Sequence, residues 1–114
     1  PLQALQLLND VQHFEAARGL ASRMMTEGGA RPEDRIRFAF KTVLSRPPSA
    51  TELEVVRSTF GRFLERYQAD PESARKAIHV GESAPRSGLP ETELAAYTLT
   101  ANLLLNLDET VTRN

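Results

Sequence analysis

Apolar residues recur at helical spacing over the first quarter of the chain. Leucines stand three residues apart in residues 2–8, and a second apolar stripe runs through residues 11–25. Because this repeat places side chains on one helix face, we predict a short helix, a kink near Asn9, and then a longer helix. Asn9 or Asp10 would cap the longer helix. The pair of glycines at residues 28–29 would end it.

The middle of the chain predicts two amphipathic helices separated by a proline turn. Pro32 suits the first turn of a helix, and the apolar positions of residues 36–44 follow the amphipathic pattern without a miss. The Arg-Pro-Pro sequence at 46–48 should stop this helix. Ser49 and Glu52 then form a capping-box pattern, which predicts the start of the next helix.

Two more helices and one loop follow. An apolar stripe extends over residues 53–67, and the Asp-Pro pair at 70–71 predicts the start of a short helix. Residues 82–89 contain two Ser, a Pro and a Gly, and so predict an exposed loop. The last helix should extend from about Pro90 to about Leu107.

This last helix is apolar on most of its circumference, so it should lie inside a bundle. Two apolar stripes flank a narrow polar line made of Thr98, Asn102, Asn106 and Glu109. We interpret the line as the water-facing strip of a central helix. The alternative is that Asn102 and Asn106 hydrogen-bond buried backbone in a part of the protein absent from this chain.

The predicted fold class is therefore all-α, a compact bundle of five to six helices joined by Gly/Pro turns, with no sheet. No sustained period-two alternation suggests a strand. Residues 1–114 form a single helical domain in this interpretation. Because the sequence begins at Pro1 in the middle of a helical pattern, we expect the domain to be the C-terminal fragment of a larger one.

Composition excludes several classes of function. Fourteen Lys and Arg residues are interleaved with fifteen Asp and Glu, so no broad positive field would attract nucleic acid or an anionic membrane. No run approaches the ~18 apolar residues of a membrane span. The absence of Cys removes thiolate chemistry, iron–sulfur ligation and c-type haem attachment. We therefore expect no cofactor and no metal in this chain.

The remaining chemical candidates are weak. His13 has no second ligand at a metal-binding spacing, and Ser83 lacks the glycine that would complete a nucleophile elbow. Asp108 and Glu109 are adjacent and so point apart on a helix. The basic residues around the third predicted helix suggest a solvated face; they are Arg31, Arg35, Arg37, Lys41 and Arg46. His79 suits the end of a helix.

Five segments along the chain carry a family resemblance. They are residues 1–10, the Glu-Ala-Ala-Arg of 15–18, the Arg-Pro-Pro of 46–48, the Gly-Glu-Ser of 81–83, and 104–109 with Arg113. In order and spacing they resemble the last part of the C-terminal domain of unknown function in planctomycete-type cytochrome c multidomain proteins. The resemblance implies an exported protein, periplasmic or at the cell surface, in which haem would belong to another domain.

No catalytic residues are established for that family, so the resemblance transfers none. The candidate interaction or structural residues are Asn9, Asp10, Arg18, Ser83, Asn102, Asn106, Asp108, Glu109 and Arg113. We favour a non-catalytic helical module that packs against the upstream region of its own protein. One alternative is part of a hydrolytic enzyme acting on polysaccharide or ester, with an active site completed by that upstream region. Another is a docking module for a cytochrome c-type electron-transfer domain.

Overall fold

A computed structural model describes the backbone of residues 2–79 and 88–113, and the side chains of residues 14–79 and 88–107. Five helices and no strand occur in these ranges, which confirms the predicted all-α bundle. The helices are α1 (Leu2–Glu27), α2 (Pro32–Leu44), α3 (Ala50–Ala69), α4 (Pro71–Ile78) and α5 (Glu91–Arg113).

Helix α1 is one helix, so the predicted break near Asn9 is wrong. The helix continues from Leu2 to Glu27, so Asn9 and Asp10 lie inside it and not at a helix start. Asn and Asp cost only a few tenths of a kcal/mol inside a helix. That cost is too small to interrupt a long apolar stripe without a Gly or Pro to help.

The corner between α1 and α2 depends on the two glycines, as predicted. The amide of Gly28 donates to the carbonyl of Met24 over 3.0 Å, and a Cβ at Gly28 would lie only 2.5 Å from that carbonyl oxygen. Gly29 has φ +99°, a value that side chains disfavour. The chain therefore turns here by a route that only glycine permits.

The capping box that begins α3 is present. The Glu52 amide donates to the Ser49 hydroxyl over 3.1 Å, and the Ser49 amide donates to the Glu52 carboxylate over 2.8 Å. Arg46 also donates to both Glu52 carboxylate oxygens, at 2.7 and 2.8 Å. The ion pair with Arg46, helped by the Ser49 amide, lowers the pKa of Glu52 to about 2.

The predicted start of α4 is also confirmed. The Asp70 side chain accepts a hydrogen bond from the Ser73 amide over 3.3 Å, with Pro71 in the first helical position. His79 follows Ile78 as the C-terminal cap residue. Of the predicted loop, residues 82–87 lie outside the described part of the chain. Gly88 is exposed, whereas Leu89 is half-buried and packs against the core.

Helix α5 is the centre of the bundle, since it packs against all four other helices. Tyr97 is its largest fully buried side chain, and its ring stacks on Phe60 of α3 with centroids 4.2 Å apart. The helix continues to Arg113 and passes the predicted end at Leu107. No Gly or Pro follows Leu107 that could stop it.

Candidate functional site

Helix α5 is enclosed in its first half and open on one side in its second half. Every residue in 94–98 is buried, as are Thr100 and Ala101. Beyond Ala101, only Leu104 is fully buried among the residues whose side chains are described, while Leu103 is 40% exposed and Leu107 48% exposed. Beyond Ala101 the helix thus carries exposed apolar side chains on its outward side.

The polar line on α5 is not a continuous water-facing strip, so that prediction is wrong for its first member. Thr98 is fully buried, Asn102 is half-buried and Asn106 is exposed, while the side chain of Glu109 lies outside the described set. The Thr98 hydroxyl donates to the Leu94 carbonyl over 2.6 Å, and Thr100 does the same to Ala96 over 2.9 Å. A threonine that bonds its own helix backbone can be buried without an unsatisfied group.

The outward residues of the second half form one surface, which we call the α5 outer face. At 100° per residue they lie within about 140° of the helical circumference. The members are Leu99, Asn102, Leu103, Asn106 and Leu107. No charged residue occurs between Glu93 and Asp108, so this face combines leucine and amide side chains without a formal charge.

Arg18 has a structural position inside the bundle. Its side chain is 3% exposed, and its guanidinium donates to the backbone carbonyl of Ile78 at the end of α4. Carbonyls at a helix C-terminus carry partial negative charge and lack partners in their own helix. Arg18 of α1 therefore satisfies the C-terminus of α4 from sixty positions away.

Arg35 contradicts the predicted solvated basic face. Only 15% of its side chain is exposed, and it donates to the carbonyls of Gly29 over 2.9 Å and Met25 over 3.4 Å. It also donates to the Tyr97 hydroxyl over 3.3 Å and lies 3.8 Å from the Glu93 carboxylate. The one feature of the sequence that could have indicated the burial of Arg35 is its position beside the apolar stripe of α2, directly before Ile36, which is buried.

The other basic residues of that face are exposed, as predicted, although most are paired. Arg31 and Arg37 both lie within 3.1 Å of Asp34 oxygens, and these contacts, led by the Arg31 hydrogen bond, lower the pKa of Asp34. Arg46 pairs with Glu52. Little of this charge is therefore free to attract a polyanion.

Three of the nine candidate residues have described side chains. Arg18 is buried between α1 and α4, whereas Asn102 and Asn106 share the α5 outer face. Asn9 and Asp10 lie in α1, and Asp108, Glu109 and Arg113 lie in α5, all with side chains outside the described set. Ser83 lies outside the described residues altogether. Sequence reasoning identified Asn102 and Asn106 but missed that Leu103 and Leu107 are exposed beside them.

Two further features concern metal binding and surface shape. They include no group of three or more His, Cys, Asp or Glu side chains that could hold a metal ion. An open depression of about 370 Å³ lies along the outward side of α3, lined by Thr51, Glu54, Val55, Ser58 and Arg62. None of the described helices is both long and apolar enough to cross a membrane.

Comparison with known protein families gives a match over the first half of the chain. The family model described as PSD1, protein of unknown function (DUF1553), matches residues 1–60 of the 114. The chain belongs to this family. No curated protein and no solved structure matches the chain. The matched region ends within α3, so it includes α1, α2 and the capping box.

Proposed function

We propose that this chain is a non-catalytic helical module of an exported multidomain protein, and that it binds the upstream region of that protein through the α5 outer face. The observation that supports this is the exposure of Leu103 and Leu107 on an uncharged surface. Charged side chains are depleted at the centres of protein interfaces, and exposed apolar patches mark such surfaces.

The chemistry of the face indicates what it would bind. Completing the burial of two half-exposed leucines would contribute roughly 2 kcal/mol. The amide of half-buried Asn102 could donate and accept hydrogen bonds at the edge of such a contact. A complementary partner therefore presents apolar side chains with a few polar backbone or side-chain groups, as the face of another helix does.

The proposed setting follows from the family resemblance. In that setting the whole protein is periplasmic or at the cell surface, and haem belongs to a cytochrome c-like domain elsewhere in it. This chain would then contribute packing surface, not a redox or hydrolytic centre. Arg18 would act inside the module, where it connects α1 to the end of α4.

A binding measurement with matched variants tests the proposal. The double variant Leu103→Ser, Leu107→Ser should bind the separately produced upstream region at least about tenfold more weakly, because each lost apolar contact costs about 1 kcal/mol. Val55→Ser is the control, since Val55 is 58% exposed on the outward side of α3 and is not part of the α5 outer face. Unchanged binding by the double variant, with its helicity intact, would overturn the proposal.

Two further measurements test the two alternatives, a cytochrome c docking module and part of a hydrolytic enzyme. Binding through an apolar, uncharged face should change little with ionic strength, whereas docking of a cytochrome c-type domain through charges should weaken as salt rises. For the hydrolytic alternative, Asp108→Ala and Glu109→Ala in the full-length protein are the test. Loss of turnover of a polysaccharide or ester substrate would favour an enzyme and count against a non-catalytic module.

A further inference from the structure

Two rows of side chains cross the α5 outer face. Leu99, Leu103 and Leu107 follow one another at intervals of four residues, and Asn102 and Asn106 form a second row with the same interval. Rows with this spacing are ridges of a helix surface, and the groove between two of them can receive a ridge of a neighbouring helix. One wall of this groove is therefore apolar, and the other carries two amides.

Asn102 differs from the polar residue one turn before it. Thr98 is buried, and its hydroxyl donates to the Leu94 carbonyl. Asn102 lies between Leu99 and Leu105, three residues away on either side, and all three are half-buried. No residue in the described part of the chain hydrogen-bonds the Asn102 side chain. Its two donor hydrogens and its carbonyl acceptor are therefore available to a partner.

A helix that covers the groove would remove this amide from water. Because a buried amide without a hydrogen-bond partner is costly, the covering helix has to supply one. Its backbone cannot do so away from its ends, since N–H and C=O groups inside a helix are already bonded to each other. A charged group would be buried on a face with no charge between Glu93 and Asp108, which is also costly. A hydroxyl has only one hydrogen to donate, whereas a second amide can pair with Asn102 through two hydrogen bonds.

We propose that the α5 outer face selects a partner helix that places an Asn or Gln side chain level with Asn102, and that Asn102 determines this specificity. The inference rests on the proposed function, in which this face binds the upstream region of the same protein. The partner helix packs its apolar residues against the leucine row and its amide against the asparagine row. A helix that is apolar throughout leaves the Asn102 amide unpaired and binds less tightly. An Asn within an otherwise apolar helix interface fixes the register in the same way.

Replacing Asn102 by leucine tests the inference through the sign of its effect. If the partner places an amide here, Asn102→Leu leaves that amide unpaired and should weaken binding of the separately produced upstream region about tenfold, although it adds apolar surface. If Asn102 meets only water or apolar groups, the variant should bind equally well or more tightly, and either result would overturn the inference. Leu is a better helix former than Asn, so α5 should stay folded, which circular dichroism and thermal unfolding check.

Two further variants make this result specific. Gln68→Leu exchanges an amide for leucine at an exposed position of α3, and it should leave binding unchanged. The double variant Leu103→Ser, Leu107→Ser separates this inference from the proposed function. Weaker binding by the double variant, with unchanged binding by Asn102→Leu, would contradict the inference about Asn102 alone. Unchanged binding by both would contradict the proposed function and this inference with it.

A compensating substitution in the partner identifies the second amide. Each Asn and Gln of the upstream region is replaced in turn by leucine, and one replacement should weaken binding to the original chain about tenfold. The same replacement should bind Asn102→Leu to within about threefold of the original affinity, because two leucines then face each other and no amide is unpaired. Isothermal titration calorimetry measures both affinities. If Asn102→Leu compensates none of these replacements, the pairing of two amides is wrong.

Discussion

Arg35 and Tyr97 are 62 positions apart, and the Arg35 guanidinium donates to the Tyr97 hydroxyl over 3.3 Å. The guanidinium also lies 5.3 Å from the centre of the Tyr97 ring. Burial raises the pKa of Tyr97, while the hydrogen bond from Arg35 opposes that rise. Since Arg35 also binds carbonyls of Met25 and Gly29, one side chain connects the end of α1 to the start of α5.

Removing the Arg35 guanidinium should therefore destabilise the bundle. Arg35→Met retains most of the apolar stem but leaves the Tyr97 hydroxyl and two carbonyls without this donor, at a cost of about 2–3 kcal/mol. Urea unfolding measures the change. Arg37→Met on the same helix is the control, because Arg37 is exposed, and its unfolding midpoint should not move. Equal midpoints for both variants would contradict this role for Arg35.

Substitution of Arg18 should also lower the stability of the bundle, for a different reason. Arg18→Ala removes a buried cation that satisfies the Ile78 carbonyl and leaves a cavity, which together cost about 3 kcal/mol. Arg75→Ala, an exposed arginine on α4, should change the unfolding free energy by less than about 0.5 kcal/mol. Comparable free energies of unfolding for the two variants would show that the Arg18 contact contributes little.

Two glycines, Gly19 inside α1 and Gly28 directly after it, should respond in opposite directions to the same substitution. Gly19→Ala should stabilise the chain by about 0.5–1 kcal/mol, because Gly19 is inside the helix and nothing lies within 4 Å of its added Cβ. Gly28→Ala should destabilise it by about 1–3 kcal/mol, since the new Cβ would lie 2.5 Å from the Met24 oxygen and 3.0 Å from the Arg35 Cα. Thermal unfolding measures both, and a stabilising Gly28→Ala would refute the tight corner.

Glu52 should make stability depend on acid pH. Its pKa is lowered from 4.5 to about 2 in the folded chain, so its contribution is complete above about pH 4.5 and is lost as pH falls towards 2. The melting temperatures of the original chain and Glu52→Gln should therefore differ at neutral pH and converge near pH 2. A constant difference across this range would mean that the carboxylate charge is not the source of the stability.

Local features of the sequence predict where most of the helices begin and end. The Ser49–Glu52 box, the Asp70–Pro71 start and the glycines at 28–29 all act within about four residues, so a short stretch of sequence contains the whole interaction. The break near Asn9 and the end at Leu107 are the two failures. Both predicted interruptions were placed at polar residues, where no Gly or Pro breaks the helix, and the helix continues through each of them.

The candidate site depended on contacts that no local pattern contains. Thr98 and Asn102 are one turn apart on the same side of α5, yet Thr98 is buried and Asn102 half-exposed, because the surrounding helices cover this side of α5 at Thr98 and leave it partly open at Asn102. In the sequence nothing distinguishes Arg35 from a solvated arginine, because only the fold brings Tyr97 beside it. The sequence by itself determined the helices, since their signals are short-range. The tertiary structure decided which faces and charges are covered, since burial depends on residues more than sixty positions away.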